Sequence, residues 1–120
     1  ESVNINKTVN DCLDFSYGNY FVESSFLNNC GDKGLSVGEN SVANFQNIEV
    51  LNSNTGVASK DFSNTNIERI ILENVNNCLQ LYNKKQEFSG ASLFVKDFNC
   101  KNFTNESSVE STSILIIEKR

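Results

Sequence analysis

Glu39, Lys60 and Asp61 are the charged residues whose spacing most invites chemistry. Glu39 and Asp61 lie 22 residues apart, in one column with Tyr17 and Asn83. If the chain climbs one strand spacing per repeat, their carboxylates come within about 4.8 Å of each other. Two carboxylates that close repel unless a cation neutralises them. Lys60 adjoins Asp61, and Lys84, Lys85 and Glu87 follow on what reads as an inserted loop over the same cluster. A hard cation such as calcium would take the oxygens of Glu39 and Asp61 as ligands. Two readings follow for Glu39, Lys60, Asp61, Lys84 and Lys85: a solvated, mutually compensated turn face, or a site for sugar, calcium or another substrate.

Other chemistries are excluded by composition. The chain has no His, which removes Ser-His-Asp and Cys-His nucleophiles and His-ligated metals. Its four Cys show no C-x-x-C spacing, so structural zinc is not expected. The net charge is −5 and Lys and Arg are scattered, which argues against nucleic acid. No apolar run reaches the roughly 18 residues of a membrane span. The first residues lack the apolar segment of a signal peptide, and a start at Glu1 without Met points to a processed or excised piece.

The elements that must position these groups follow a period. Gly34-Leu35-Ser36-Val37 returns 22 residues later as Gly56-Val57-Ala58-Ser59, again as Cys78-Leu79-Gln80-Leu81, and 22 earlier as Cys12-Leu13-Asp14-Phe15. Phe26, Ile48 and Ile70 keep the same offset, as do Phe21, Ala43 and Thr65, and Asn28, Val50 and Leu72. After Leu81 the register slips by 6, since Ile67 matches Val95 at 28 residues, and residues 84–90 read as an insertion. A repeat of this length is the signature of a solenoid. Apolar residues fall at period 2 in short bursts between Asn, Ser, Gly and Asp, which gives an all-β chain.

In chain order, residues 1–10 form an irregular first half-coil containing Val3, Ile5 and Val9. The first full coil, 11–31, points Leu13, Phe15, Phe21 and Phe26 inward, and coils at 32–55, 56–77 and 78 to about 103 follow. Ser107 to Ile117 supplies two more strands. Cys30, Asn52, Asn74 and Asn102 share a turn column, as do Asp32, Asn54, Asn76 and Thr104. Asn tolerates left-handed backbone, and stacked amides bond from coil to coil, so these columns read as structural. One domain results, an all-β solenoid of about five 22-residue coils with one inserted loop.

Coils of this length and pattern resemble right-handed parallel β-helix proteins, the architecture of pectate lyases and many bacterial surface proteins. The runs DCLDFS (11–16), GDKGLSVGENS (31–41), TGVASKDFS (55–63) and LYNKKQEFSG (81–90) are similar to β-helix segments of uncharacterised bacterial secreted or surface proteins. The resemblance covers roughly residues 11–100. It implies the fold and an extracellular or cell-surface setting, and carries no activity.

Polysaccharide-acting β-helix enzymes place their active groups on the outer face of the organising sheet. Here that column is Asp14, Ser36, Ala58 and Gln80, with Asp14 as its one charge. This is a flat, weakly polar face without an acid/base set, so catalysis is not expected. The cysteines are expected as free thiols. Cys12 and Cys78 share a column three coils apart, about 14 Å, too far to bond. Cys100 reads as a buried thiol, and Cys12 with Cys30 is the one nearby pairing. Asn6, Asn102 and Asn105 match the N-glycosylation acceptor pattern, which a chain so rich in Asn and Ser produces by accident.

Two functions remain. The leading one is a non-catalytic structural or adhesive module with uncapped ends, either joining end to end into a fibre or excised from a longer solenoid. The alternative is a polysaccharide-binding or polysaccharide-modifying domain of lyase or epimerase type, working at the Glu39, Lys60, Asp61 and Lys84 cluster.

Overall fold

The computed structural model describes residues 2–84 and 88–120. It contains eight strands: β1 (Ser2–Ile5), β2 (Leu13–Phe15), β3 (Gly18–Val37), β4 (Ser41–Lys60), β5 (Asn64–Tyr82), β6 (Ser92–Lys101), β7 (Asn105–Val109) and β8 (Ile114–Lys119). All pairings are parallel, in the order β1-β3-β4-β5-β6-β8, with β2 on β3 and β7 on β5. The long strands bend around corners, so each makes most of one coil. The fold is a parallel β-solenoid of about 5 turns of roughly 22 residues, with no helix among the described residues.

Residues that stack from coil to coil form vertical files. Leu13, Leu35, Val57, Leu79 and Ser107 make one. The 28-residue spacing also holds, with Asn64 on Ser92 and Ile67 on Val95. Leu27, Leu35, Val50, Val57, Ile70, Leu72 and Leu79 fill the interior and are fully buried. Each such side chain contributes roughly 1.5–3 kcal/mol by leaving water.

The first coil departs from the even period. From Gly18 to Cys30, β3 pairs with β4 at an offset of 23, and 22 resumes only from Lys33, after a register shift between Cys30 and Lys33. A one-residue offset exchanges the two faces of a strand. Val22, Ser25 and Leu27 therefore point into the core, while Phe21 is 56% exposed and Phe26 half-buried, against the inward placement expected for both phenylalanines. The turn file shifts likewise. Asn29, and not Cys30, joins Asn52, Asn74 and Asn102, and all four have positive φ, between 55° and 59°.

The Asn files do stitch the coils. Asn28 donates to Asn6 (3.1 Å), Asn52 to Asn28 (2.9 Å), Asn74 to Asn52 (2.6 Å) and Asn102 to Asn74 (3.1 Å). Beside them, Asn76 donates to Asn54 (2.8 Å) and Asn54 to Asp32 (3.4 Å).

The cysteines are not free thiols. Cys12 bonds Cys30 and Cys78 bonds Cys100, with Cα separations of 5.4 and 6.5 Å. Cys12–Cys30 is the nearby pair that the sequence offers, Cys78–Cys100 is not, and both bonds join different files that meet inside the coil. The file Gly34, Gly56, Cys78 points inward at the file Val50, Leu72, Cys100. A Cβ on Gly34 would sit 2.5 Å from Val50 Cγ1, and one on Gly56 would run into Leu72 Cδ2. Cys78 thus faces Cys100, where glycine leaves room in the coils below. Two such bonds are consistent with a secreted or extracellular protein.

Candidate functional site

The charged cluster is drawn into the fold. Asp61 is fully buried at a left-handed corner (φ 52°). Its Oδ1 accepts the backbone N–H of Lys84 at 2.6 Å, its own N–H donates to Tyr82 O, and its carbonyl accepts from Asn40 N–H. The carboxylate therefore ties down the first residue of the inserted loop. Glu39 Oε1 accepts from Ser16 Oγ at 3.1 Å, in the coil below. Lys60 is buried, its alkyl chain passing over Gly38, where an added Cβ would come 3.2 Å from Lys60 Cε. The side chain of Lys84 is exposed, and Lys85 lies outside the described residues. Glu39 is thus engaged from the coil below and Asp61 from the coil above. Among the described residues no three His, Cys, Asp or Glu side chains group to hold a metal, so calcium has only Glu39 and Asp61 behind it.

The file Asp14, Ser36, Ala58, Gln80 exists as expected and continues to Ser108. It is not a flat exposed face, because Ser36 and Ala58 are 0% exposed and only Asp14 and Ser108 lie open. Lys33 Nζ lies 2.8 Å from Asp32 and 3.9 Å from Asp11, and Tyr82 stands half-buried two coils away. The hydrogen bond from Lys33 lowers the Asp32 pKa, with a smaller contribution from the charge of Lys60. Burial works against the Lys33 ammonium, but the hydrogen bond to Asp32 and the charges of Tyr82, Asp11 and Asp32 outweigh it and raise its pKa. Burial raises the pKa of Tyr82.

An open groove lies elsewhere, on the outer face of the first half of β3, β4 and β5. Phe21, Asn44, Asn66, Phe94 and Ile116 form one outward file. Four of these, Phe21 to Phe94, line a groove of about 360 Å³ together with Gln46 and Glu68. Gln46 and Glu68 also border a charged groove of about 560 Å³, where Lys96 pairs with Glu68 and Arg69 with Asp97, each at 3.8 Å. The sequence reading missed this face because Phe21 was assigned inward. The alternation Val42, Asn44, Gln46 against Ala43, Phe45 was the signal that could have found it. The glycosylation candidates are exposed, yet their amides are engaged: Asn6 and Asn102 in the Asn ladder, and Asn105 as a donor to Asn77 at 3.1 Å.

These features define a disulfide-linked parallel β-solenoid. Compared with protein families, with curated proteins and with solved structures, the chain finds no match.

Proposed function

We propose that this chain is a non-catalytic module of an extracellular or cell-surface protein, with a structural or adhesive role, that associates end to end. The observation carrying this reading is the state of the last coil. Leu93 and Val95 on β6 are 1% and 0% exposed, while Leu115 and Ile117, stacked directly on them in β8, are only half-buried. The interior of the solenoid is open there, and β8 pairs on one side only among the described strands. An open strand edge over an apolar interior favours addition of a further coil, from another molecule or from more of a longer solenoid. Sedimentation velocity over a concentration series tests this. Growth of larger species with concentration supports it, and a single monomeric boundary at high concentration contradicts it.

The groove at Phe21, Asn44, Asn66 and Phe94 favours the alternative, a polysaccharide-binding domain, since aromatic faces and amides together suit sugar rings. Loss of glycan-array binding in Phe21→Ala and Phe94→Ala variants supports that reading. Unchanged binding in both contradicts it.

A further inference from the structure

We propose that the outer groove binds a neutral, linear, β-linked polysaccharide lying along the solenoid axis, one sugar to each coil. This rests on the polysaccharide-binding reading of the groove and gives it a ligand class and a direction. The face carries two outward files. One is Phe21, Asn44, Asn66, Phe94 and Ile116, and beside it runs Asn19, Val42, Asn64, Ser92 and Ile114. Both lie on the side of the stack, so further coils at either end would lengthen these files and leave them open.

Charge selects the ligand class. Of the chain 21% is Asp, Glu, Lys or Arg, yet neither file contains a charged residue. At the border of the face Glu68 and Lys96 pair with each other at 3.8 Å. An acidic polysaccharide would find no cation in these files, whereas an uncharged one meets a surface that matches it. The aromatic members are also not a continuous apolar patch, since Asn44 and Asn66 separate Phe21 from Phe94. A sugar uses both kinds of group at once, laying a C–H face on an aromatic ring and its hydroxyls against amides.

Spacing fixes the direction. Phe21 and Phe94 stand three strand spacings apart, about 14 Å along the axis. An extended β-linked chain of six-membered sugars advances by close to one strand spacing per residue. Its rings therefore keep step with the coils, and a tetrasaccharide reaches from one phenylalanine to the other. Between them, Asn66 Nδ2 donates to Oδ1 of Asn44 (3.2 Å) and of Asn64 (3.3 Å). That leaves Nδ2 of Asn44, Nδ2 of Asn64 and Oδ1 of Asn66 for a ligand, two donors and an acceptor for hydroxyls that can both accept and donate.

Calorimetric titration with β-1,4-linked oligomers of glucose, mannose, xylose and N-acetylglucosamine, from disaccharide to hexasaccharide, tests this. In at least one series the affinity is expected to rise about tenfold from di- to tetrasaccharide, as the chain gains its second aromatic platform. Oligomers of α-1,4-linked glucose, whose chain curls, should not show the rise. Phe21→Ala and Phe94→Ala should each bring the tetrasaccharide down to the disaccharide level, with thermal melts showing that both variants stay folded. Glycan binding that is independent of length, or a preference for oligogalacturonate, overturns the axial neutral ligand and leaves the polysaccharide-binding reading standing. Absence of any glycan binding by the unsubstituted chain overturns both. Self-association abolished by Phe94→Ala, without glycan binding, also overturns both and makes this face a contact between copies.

Discussion

The middle of the solenoid and its ends use the same files yet differ in what each residue achieves. Leu79 has neighbours in the coils above and below and is fully buried, whereas Leu115 sits on Leu93 with no described strand above it. Stability in a stack comes from each coil together with its neighbours, so an identical side chain contributes less at an open end. The middle is thus covered on both sides, while the last coil is covered on one side only among the described residues.

Alanine replacements break or sharpen this contrast. Leu79→Ala should cost about 3–4 kcal/mol in chemical denaturation, and Leu115→Ala at most about 1 kcal/mol in the monomer. Equal costs would mean that the ends are as closed as the middle. Next in size are the disulfides. The Cys78→Ser, Cys100→Ser double variant should lose about 3 kcal/mol, a typical value for a loop of this length. Cys12→Ser with Cys30→Ser should cost less, because the first coil is already open on one side. Asp61→Asn should follow at about 1–2 kcal/mol, since it weakens a charge-assisted bond to Lys84 N–H in a buried corner. Its signature is faster proteolysis in the inserted loop with the other coils unaffected.

The smallest effect is on pH dependence. The Asp32 pKa is held below its ordinary 3.8, so its contribution is present above that value and is lost as pH falls through the lower folded value. The Lys33 pKa is raised above 10.5, so its contribution is present below that value and is lost as pH rises through the higher folded value. Thermal melts should show a plateau between these limits with a decline on both sides. Lys33→Met should flatten the alkaline limb, leaving the part due to Tyr82, whose pKa burial raises.

Much of the scaffold was legible because a solenoid writes its geometry as a spacing. Leu13, Leu35, Val57 and Leu79 announce one file, and the slip to 28 announces the insertion. The bulge was not legible, because chance matches such as Phe26 with Ile48 hid the 23-residue offset and so concealed the Phe21 groove. Cys12 with Cys30 was visible as a nearby pair, though not as a bond, and Cys78–Cys100 escaped because files that face each other across the interior are unrelated by the period. Asp61 was singled out by its charge, but its partner is a backbone N–H, and backbone groups leave no mark in a sequence. Ser36 and Ala58 looked like an open face because the residue types of a file do not say whether that file is covered, and both are fully buried.

Amide hydrogen exchange followed by mass spectrometry at low and high protein concentration tests the contrast between middle and ends most directly. The account predicts that β4 and β5 are protected at both concentrations, while β8 gains protection as concentration rises. Unchanged exchange in β8, or protection gained at the Asn44–Asn66 groove in its place, would contradict it.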